Sequence, residues 1–277
     1  MKETVVDIDD LKQLSPFFKT KIGEGIGKLL IKSLSIDKVN QAHKNSCHLR
    51  GAAFTSSLLR DPLIDIKYKL HHAEVLDHLP EGAFITVSNH PIGSLDGIML
   101  IDIVASRRPD FKVMVNGILS KVGAMNDNFI SVHPDTKHQG GGNMANLNGV
   151  RLCLQHIQAG HPIGFFPAGA MSFYNKEQKA VRDLPWTRSV IRLIHKANVP
   201  VYPIYFDFLN SDFFYWLGNI SWQLRTLRVV PEVFNKRGRT VDVYVGDPIP
   251  ASQIASFDKD ENLGKYLYEQ TYACKNK

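Results

Sequence analysis

From residue 63 onward, short apolar runs alternate with longer segments in which apolar residues return every three or four positions. The first rhythm predicts strands and the second helices. Strands are expected over 63–68, 83–88, 111–115, 129–132, 162–166, 199–206 and 240–245. Helices are expected over 97–106, 144–159, 189–197 and 262–273. Such alternation predicts an α/β fold: a mostly parallel central sheet flanked by helices. In such sheets functional residues gather just past the carboxyl ends of strands.

Residues 1–62 have a different texture, charged and apolar positions mixed at helical spacing, and predict an N-terminal helical segment ahead of an α/β domain at 63–277. Ile22, Ile26, Leu29, Leu30 and Leu34 fall on one face, with Lys21, Lys28 and Lys32 largely elsewhere. A basic amphipathic helix can dock on lipid. A helix packed on its own domain is the commoner arrangement and the expectation here.

Composition narrows the class. Apolar residues make up 44% of the 277 and charged residues 22%, which argues against general disorder. A net charge of +6 suits an anionic partner: a membrane surface, an acidic carrier protein or a nucleic acid. Three dispersed cysteines, Cys47, Cys153 and Cys274, suggest neither a disulfide framework nor a zinc site, so a reducing compartment is expected. The acidic N-terminal stretch has no apolar core of a secretory signal, and no run approaches the roughly 20 apolar residues that span a bilayer. The glycines at 140–142 form a loop that lacks the ending of a phosphate-binding P-loop.

Chemistry concentrates after the second strand, in "VSNHPIGSLDGIML" (87–100). Pro91 and Gly93 shape a tight link, Ser94 is a suitable N-cap, and Asp96 falls in the first helical turn. Taken singly, an acid near a helix start or a histidine before a proline has an ordinary structural explanation. Together, His90 and Asp96 can bring a carboxylate to one imidazole nitrogen and leave the other free to take a proton. The chain offers no GxSxG, no HExxH and no cysteine beside an evident partner, so this pair is the catalytic candidate.

"SNHPIGSLDG" resembles the first signature block of the glycerolipid acyltransferase superfamily, which contains the lysophosphatidic acid acyltransferases. The usual block places four residues between His and Asp; here five intervene, the form associated with the bacterial branch that acylates lyso-aminolipids, the ornithine and glycine lipids. "NGILSKVGAMNDNFISV" (116–132) resembles the second block, "FFPAGAMS" (165–172) the third and "VPVYPIYFD" (199–207) the fourth; the resemblance covers about residues 65–250. Where glycerol-phosphate enzymes carry an arginine after the second block's Phe-Ile pair, this chain has Ser131-Val132-His133. The third block, usually Phe-Pro-Glu-Gly-Thr-Arg-Ser, has Ala168, Ala170 and Met171 in place of Glu, Thr and Arg.

The resemblance implies an O-acyltransferase in which His90, oriented by Asp96, acts as general base. The acyl group would come from acyl carrier protein or acyl-CoA as co-substrate, with no further cofactor and no metal. It places Asn89, Gly93, Asn116, Gly117, Phe166, Pro167, Gly169 and Ser172 at the substrate, with Asn89 bracing the turn and main-chain N–H groups near Gly169 or the helix after Ser94 as oxyanion donors. An arginine reads phosphate through paired, charge-assisted bonds. Its absence from both blocks points to a lyso-aminolipid acceptor. Lysophosphatidic acid as acceptor, a non-catalytic lipid- or carrier-binding protein on the same scaffold, and a hydrolase using the same pair remain alternatives. The aromatic stretch over 205–228 suits a membrane-facing or acyl-gripping segment as readily as a core helix and loop. The basic residues of the C-terminal half, Arg225, Arg228 and Lys236 among them, would suit an acidic carrier protein or anionic lipid, with solvated surface the default for any one of them. No nucleic-acid motif accompanies them. The expected location is cytoplasmic, peripheral to the inner face of the cell membrane.

Overall fold

Strand pairing in the computed structural model, which describes residues 3–116, 123–132 and 144–276, builds one seven-stranded sheet and a separate two-stranded hairpin. The large sheet consists of β1 (Lys67–His71), β2 (Ile85–Ser88), β3 (Lys112–Asn116), β4 (Phe129–Val132), β5 (Ile163–Phe165), β8 (Val201–Asp207) and β9 (Thr240–Val245). Its order is β1-β9-β8-β2-β5-β3-β4. Every neighbouring pair is parallel except β8 with β9, so the sheet is mostly parallel as expected. The hairpin, β6 (Phe173–Asn175) with β7 (Ala180–Arg182), has no counterpart among the predicted strands.

Helices cover both faces. In chain order they are α1 (Ile8–Leu14), α2 (Lys21–Ser33), α3 (Ile36–Ser46), α4 (Gly51–Arg60), α5 (Ser94–Ala105), α6 (Met144–Gln158), α7 (Arg188–Ala197), α8 (Asp212–Ile220), α9 (Trp222–Phe234), α10 (Ala251–Ala255) and α11 (Asp260–Ala273). One core cluster joins Phe54 and Leu58 of α4 and Met99, Leu100 and Ile103 of α5 to Phe206 and Val243 of the sheet. The other joins Ile191 and Ile194 of α7, Ile157 of α6 and Leu263 and Leu267 of α11 to Ile85, Val87 and Phe165. Central β2 is buried at every position, which is why it reads as an unbroken apolar run. By contrast β9 alternates buried and part-exposed residues, with Val241, Val243 and Val245 facing inward.

Two sequence expectations need correction. The first strand begins at Lys67, not at residue 63, because Asp65 adopts a left-handed φ of 43° and the Asp61 side chain accepts from Leu63 N–H. Leu63 and Ile64 therefore pack from a turn. Helix α2 does not lay its apolar face on the domain. It packs through Gly23 and Gly27, where an added Cβ would lie 1.9 Å from Phe17 O and 2.6 Å from Ile8 Cδ1. Ile22 and Leu29 stay exposed by 75% and 66%. Among the described residues no helix is long and apolar enough to cross a membrane. The glycine-rich segment 139–143, Gly117 and His133 lie outside the described residues.

Candidate active site

Strands β8, β2 and β5 lie side by side and parallel, so the loops after them leave the sheet at one edge. The stretch Asn89–Asp96 follows β2 and Phe166–Ser172 follows β5. Two of the sequence blocks are thereby brought together at strand carboxyl ends.

The turn after β2 is built on a glycine and a carboxylate. Gly93 has φ 94° and ψ −122°, a conformation closed to most residues with a Cβ. Asp96, wholly buried at the third position of α5, accepts at Oδ2 from the N–H groups of Ile92 and Gly93, both at 3.0 Å. Gly93 is thus the N-cap, and Ser94, expected in that role, is the first helical residue; the side chain reaching back to the cap comes from Asp96.

The same Oδ2 lies 3.0 Å from His90 Nδ1, whose ring is 21% exposed. The contact is oblique, so neither Nδ1 nor Asp96 Oδ1 has a well-directed hydrogen bond. The χ2 torsion is soft, so a rotation of the ring would direct the N–H at the carboxylate. A carboxylate at Nδ1 favours the tautomer with its proton there and leaves the Nε2 lone pair available. The Phe166 ring centroid lies 4.4 Å from that of His90 and walls one side.

Proximity of histidine to carboxylate is not by itself diagnostic. His71 meets Asp242 at 2.7 Å, His161 meets Asp110 at 2.8 Å and His195 meets Asp260 at 2.9 Å. In each of these the acid is part-exposed, whereas Asp96 has no exposed side-chain surface. A fully buried carboxylate against a part-exposed imidazole at a strand end separates His90 from the others.

Asp183 completes the site, and sequence reasoning misses it. Its Oδ1 accepts from His90 N–H at 3.1 Å and from Ser172 Oγ–H at 2.5 Å, and its Oδ2 from Trp186 Nε1–H at 3.2 Å. Ser172 N–H donates in turn to His90 O at 2.9 Å. Burial pushes the Asp183 carboxyl above the ordinary carboxylate range, with the bonds from Ser172 and His90 pulling the other way. The Ser172 hydroxyl is therefore spent on holding the third block to the first.

Asn89 is spent similarly. Its Nδ2 donates to Phe206 O at 3.0 Å and its Oδ1 accepts from Phe206 N–H at 2.8 Å, clamping the end of β2 to β8 and bracing the turn. Asn210 donates to Pro91 O at 3.1 Å and accepts from buried Lys236 Nζ at 2.5 Å. Lys236 also meets Glu232 at 3.3 Å, and Ser211 bonds both oxygens of Glu232. Lys236 reads in sequence as a surface cation and is instead 3% exposed, while Asn210, Ser211 and Glu232 go unremarked, because these roles arise only where distant segments meet.

Among the remaining predicted residues, Pro167 O accepts from Thr187 N–H at 2.8 Å, and Gly169 turns the loop at φ 67°. Gly169 N–H donates to Phe166 O at 3.0 Å, which removes it as an oxyanion donor. Asn116 ends β3 beside Val132, two strands away from β2. Ala168, where the third block usually has glutamate, is buried. Among the described residues no group of three His, Cys, Asp or Glu side chains is placed to hold a metal.

Known proteins resemble this chain over most of its length. A family model described as acyltransferase matches residues 28–277. The chain is 27% identical over 272 residues to a lyso-glycine lipid O-acyltransferase of Bacteroides thetaiotaomicron, covering 95% of this chain and 93% of that protein. It is 26% identical over 242 residues to a protein of the same name from Phocaeicola vulgatus, covering 83% and 79%. Among solved structures, the 1-acyl-sn-glycerophosphate acyltransferase PlsC of Thermotoga maritima shares the fold. The TM-score is 0.51 at 14% identity, over 91% of this chain and 88% of that one.

Proposed function

Since the chain belongs to the acyltransferase family, we propose that it moves a fatty acyl group from a carrier thioester to the hydroxyl of a lyso-aminolipid of the glycine-lipid kind. The observation that carries the mechanism is His90 set against buried Asp96 at the end of β2, with no hydrogen bond to Nε2 among the described residues. Nε2 takes the proton of the acceptor hydroxyl as its oxygen forms a bond to the thioester carbonyl carbon. The carbon–sulfur bond then breaks, and the imidazolium returns the proton to the departing thiol. General-base assistance of this kind contributes a factor of about 10² to 10⁴. Asp96 holds the tautomer and stabilises the transient imidazolium, while Asp183, Ser172 and Asn89 hold the loop that carries His90.

Two observations support this acceptor. The curated relatives are named for lyso-glycine lipid. The arginines with which glycerol-phosphate enzymes would read a phosphate are replaced by residues such as Met171. The donor is acyl carrier protein or coenzyme A. The enzyme works from the cytoplasmic face of a membrane, touching it with the exposed apolar faces of α2 and of the α8–α9 pair, where Trp216 and Trp222 are exposed by 55% and 65%.

The test is acyl transfer by purified protein from labelled acyl carrier protein and from acyl-CoA. Lyso-glycine lipid, lyso-ornithine lipid and lysophosphatidic acid are supplied in parallel, with a reaction lacking acceptor. Wild type should form diacylated aminolipid, and His90→Ala should lose turnover while still binding lipid. Product from lysophosphatidic acid alone would keep the mechanism and overturn the acceptor. Free fatty acid without acceptor would indicate a hydrolase, and bound acyl chains without product a binding protein.

A further inference from the structure

Arg225, on α9, is a cation at the site that the mechanism leaves unused. Its Nη1 lies 3.4 Å from Ser172 O, a long contact with the residue whose N–H holds His90 O. Its Nε is buried and has no hydrogen-bond partner among the described residues. No carboxylate among the described residues offsets its charge: burial depresses its pKa, and only Tyr215 works the other way. Neighbouring Arg228, by contrast, has Glu232 at 3.6 Å.

The protein makes room for this guanidinium. A Cβ on Gly218 would lie 2.8 Å from Arg225 Cδ, and the Phe214 ring sits under the guanidinium at 5.7 Å. Met171 stands where the third block usually has its arginine, and its Sδ would lie 2.8 Å from a Cβ on Gly93. The strand-end loop has thus lost its cation, while a helix from another part of the chain supplies one to the following residue.

A guanidinium with spare donors, partly desolvated and without a counter-ion among the described residues, is a receptor for a planar anion. An amino acid acylated on its nitrogen keeps its carboxylate, so the acceptor proposed above presents such an anion. We infer that Arg225 binds the head-group carboxylate of the acceptor, fixing the lipid with its hydroxyl toward His90. This inference rests on the proposed function and names the group by which the site recognises its acceptor. Exposed Trp222 and Leu224 on the same helix offer the lipid's chain an apolar rim.

The test compares N-(3-hydroxyacyl)glycine with its glycinamide, identical but for the charge, as acceptors in zwitterionic micelles. Wild type should favour the acid in kcat/KM by about 10- to 100-fold, the worth of a charge-assisted bond. Arg225→Gln should raise KM for the acid by that factor and leave the amide unchanged, and Arg225→Lys should recover part of it. Equal losses on both acceptors would overturn the inference in favour of a structural role. Loss only of binding to anionic vesicles would overturn it in favour of a bilayer phosphate. Calorimetric binding of both lipids to His90→Ala separates the two proposals. Charge preference without wild-type turnover would overturn the proposed function alone, and turnover without charge preference would overturn this inference alone.

Discussion

Asp183 serves the loop through both carboxylate oxygens, and its replacement by asparagine reads out that service. The amide would set an N–H against Trp186 Nε1–H or lose one of the two bonds at the other oxygen. Asp183→Asn should cost about 1 to 3 kcal/mol in urea denaturation at neutral pH, offset by the relief of a buried charge. The pH dependence separates the two. Because the folded-state pKa is raised, the folded protein holds this proton more tightly than the unfolded chain. Wild-type stability should therefore fall as pH rises from about 3.9 toward the raised value and then level off; the variant should lack that step. Asp96→Asn has a different signature. To keep the bonds from Ile92 and Gly93 N–H its amide oxygen must take the Oδ2 position, so the tautomer is kept while the charge that stabilises the imidazolium is lost, and kcat should fall by about 10² to 10⁴. His90 and Asp96 are legible in sequence because they lie on one short turn, where spacing alone dictates contact. Asp183, Asn210, Glu232 and Lys236 are not, since a buried polar group has no local signature until the segment that satisfies it is known.

At the scale of elements, the site depends on a turn that only glycine fits. Gly93→Ala would place a Cβ at positive φ and 2.8 Å from Met171 Sδ. The variant should lose about 1 to 3 kcal/mol and several degrees of thermal midpoint, with activity falling as the loop shifts. Elements with one clear rhythm are legible: β4 and β9 fall where the sequence places them, and α6 and α7 start or end within a residue of expectation. The β6–β7 hairpin is not legible, because three-residue strands carry too few positions to show a period. Helices α8 and α9 mix both readings of the aromatic stretch: Phe214 is wholly buried while Phe213 beside it is 50% exposed. An aromatic residue carries no mark of which side of a helix will find a partner.

At the scale of the whole molecule, the apolar faces of α2 and of α8–α9 stay exposed among the described residues, on a chain with a net charge of +6. Phe213→Ser with Trp216→Ser, which removes the exposed stacked pair of α8, should reduce co-sedimentation with anionic vesicles and slow transfer to bilayer-embedded acceptor. It should leave transfer to a short-chain, monomeric acceptor unchanged. Wild-type binding should weaken with salt to the extent that charge contributes. Strand order has a consequence of another kind. Strand β1 pairs with β9, from the opposite end of the sheet's sequence, and Asn89 is clamped by Phe206, 117 residues later. A ribosome therefore releases His90 and Asp96 long before the strands that hold them in place. The growing chain carries the reacting groups without a site, and each copy becomes competent only once β8 and β9 have been made; a chain cut short before β8 should be inert rather than partly active.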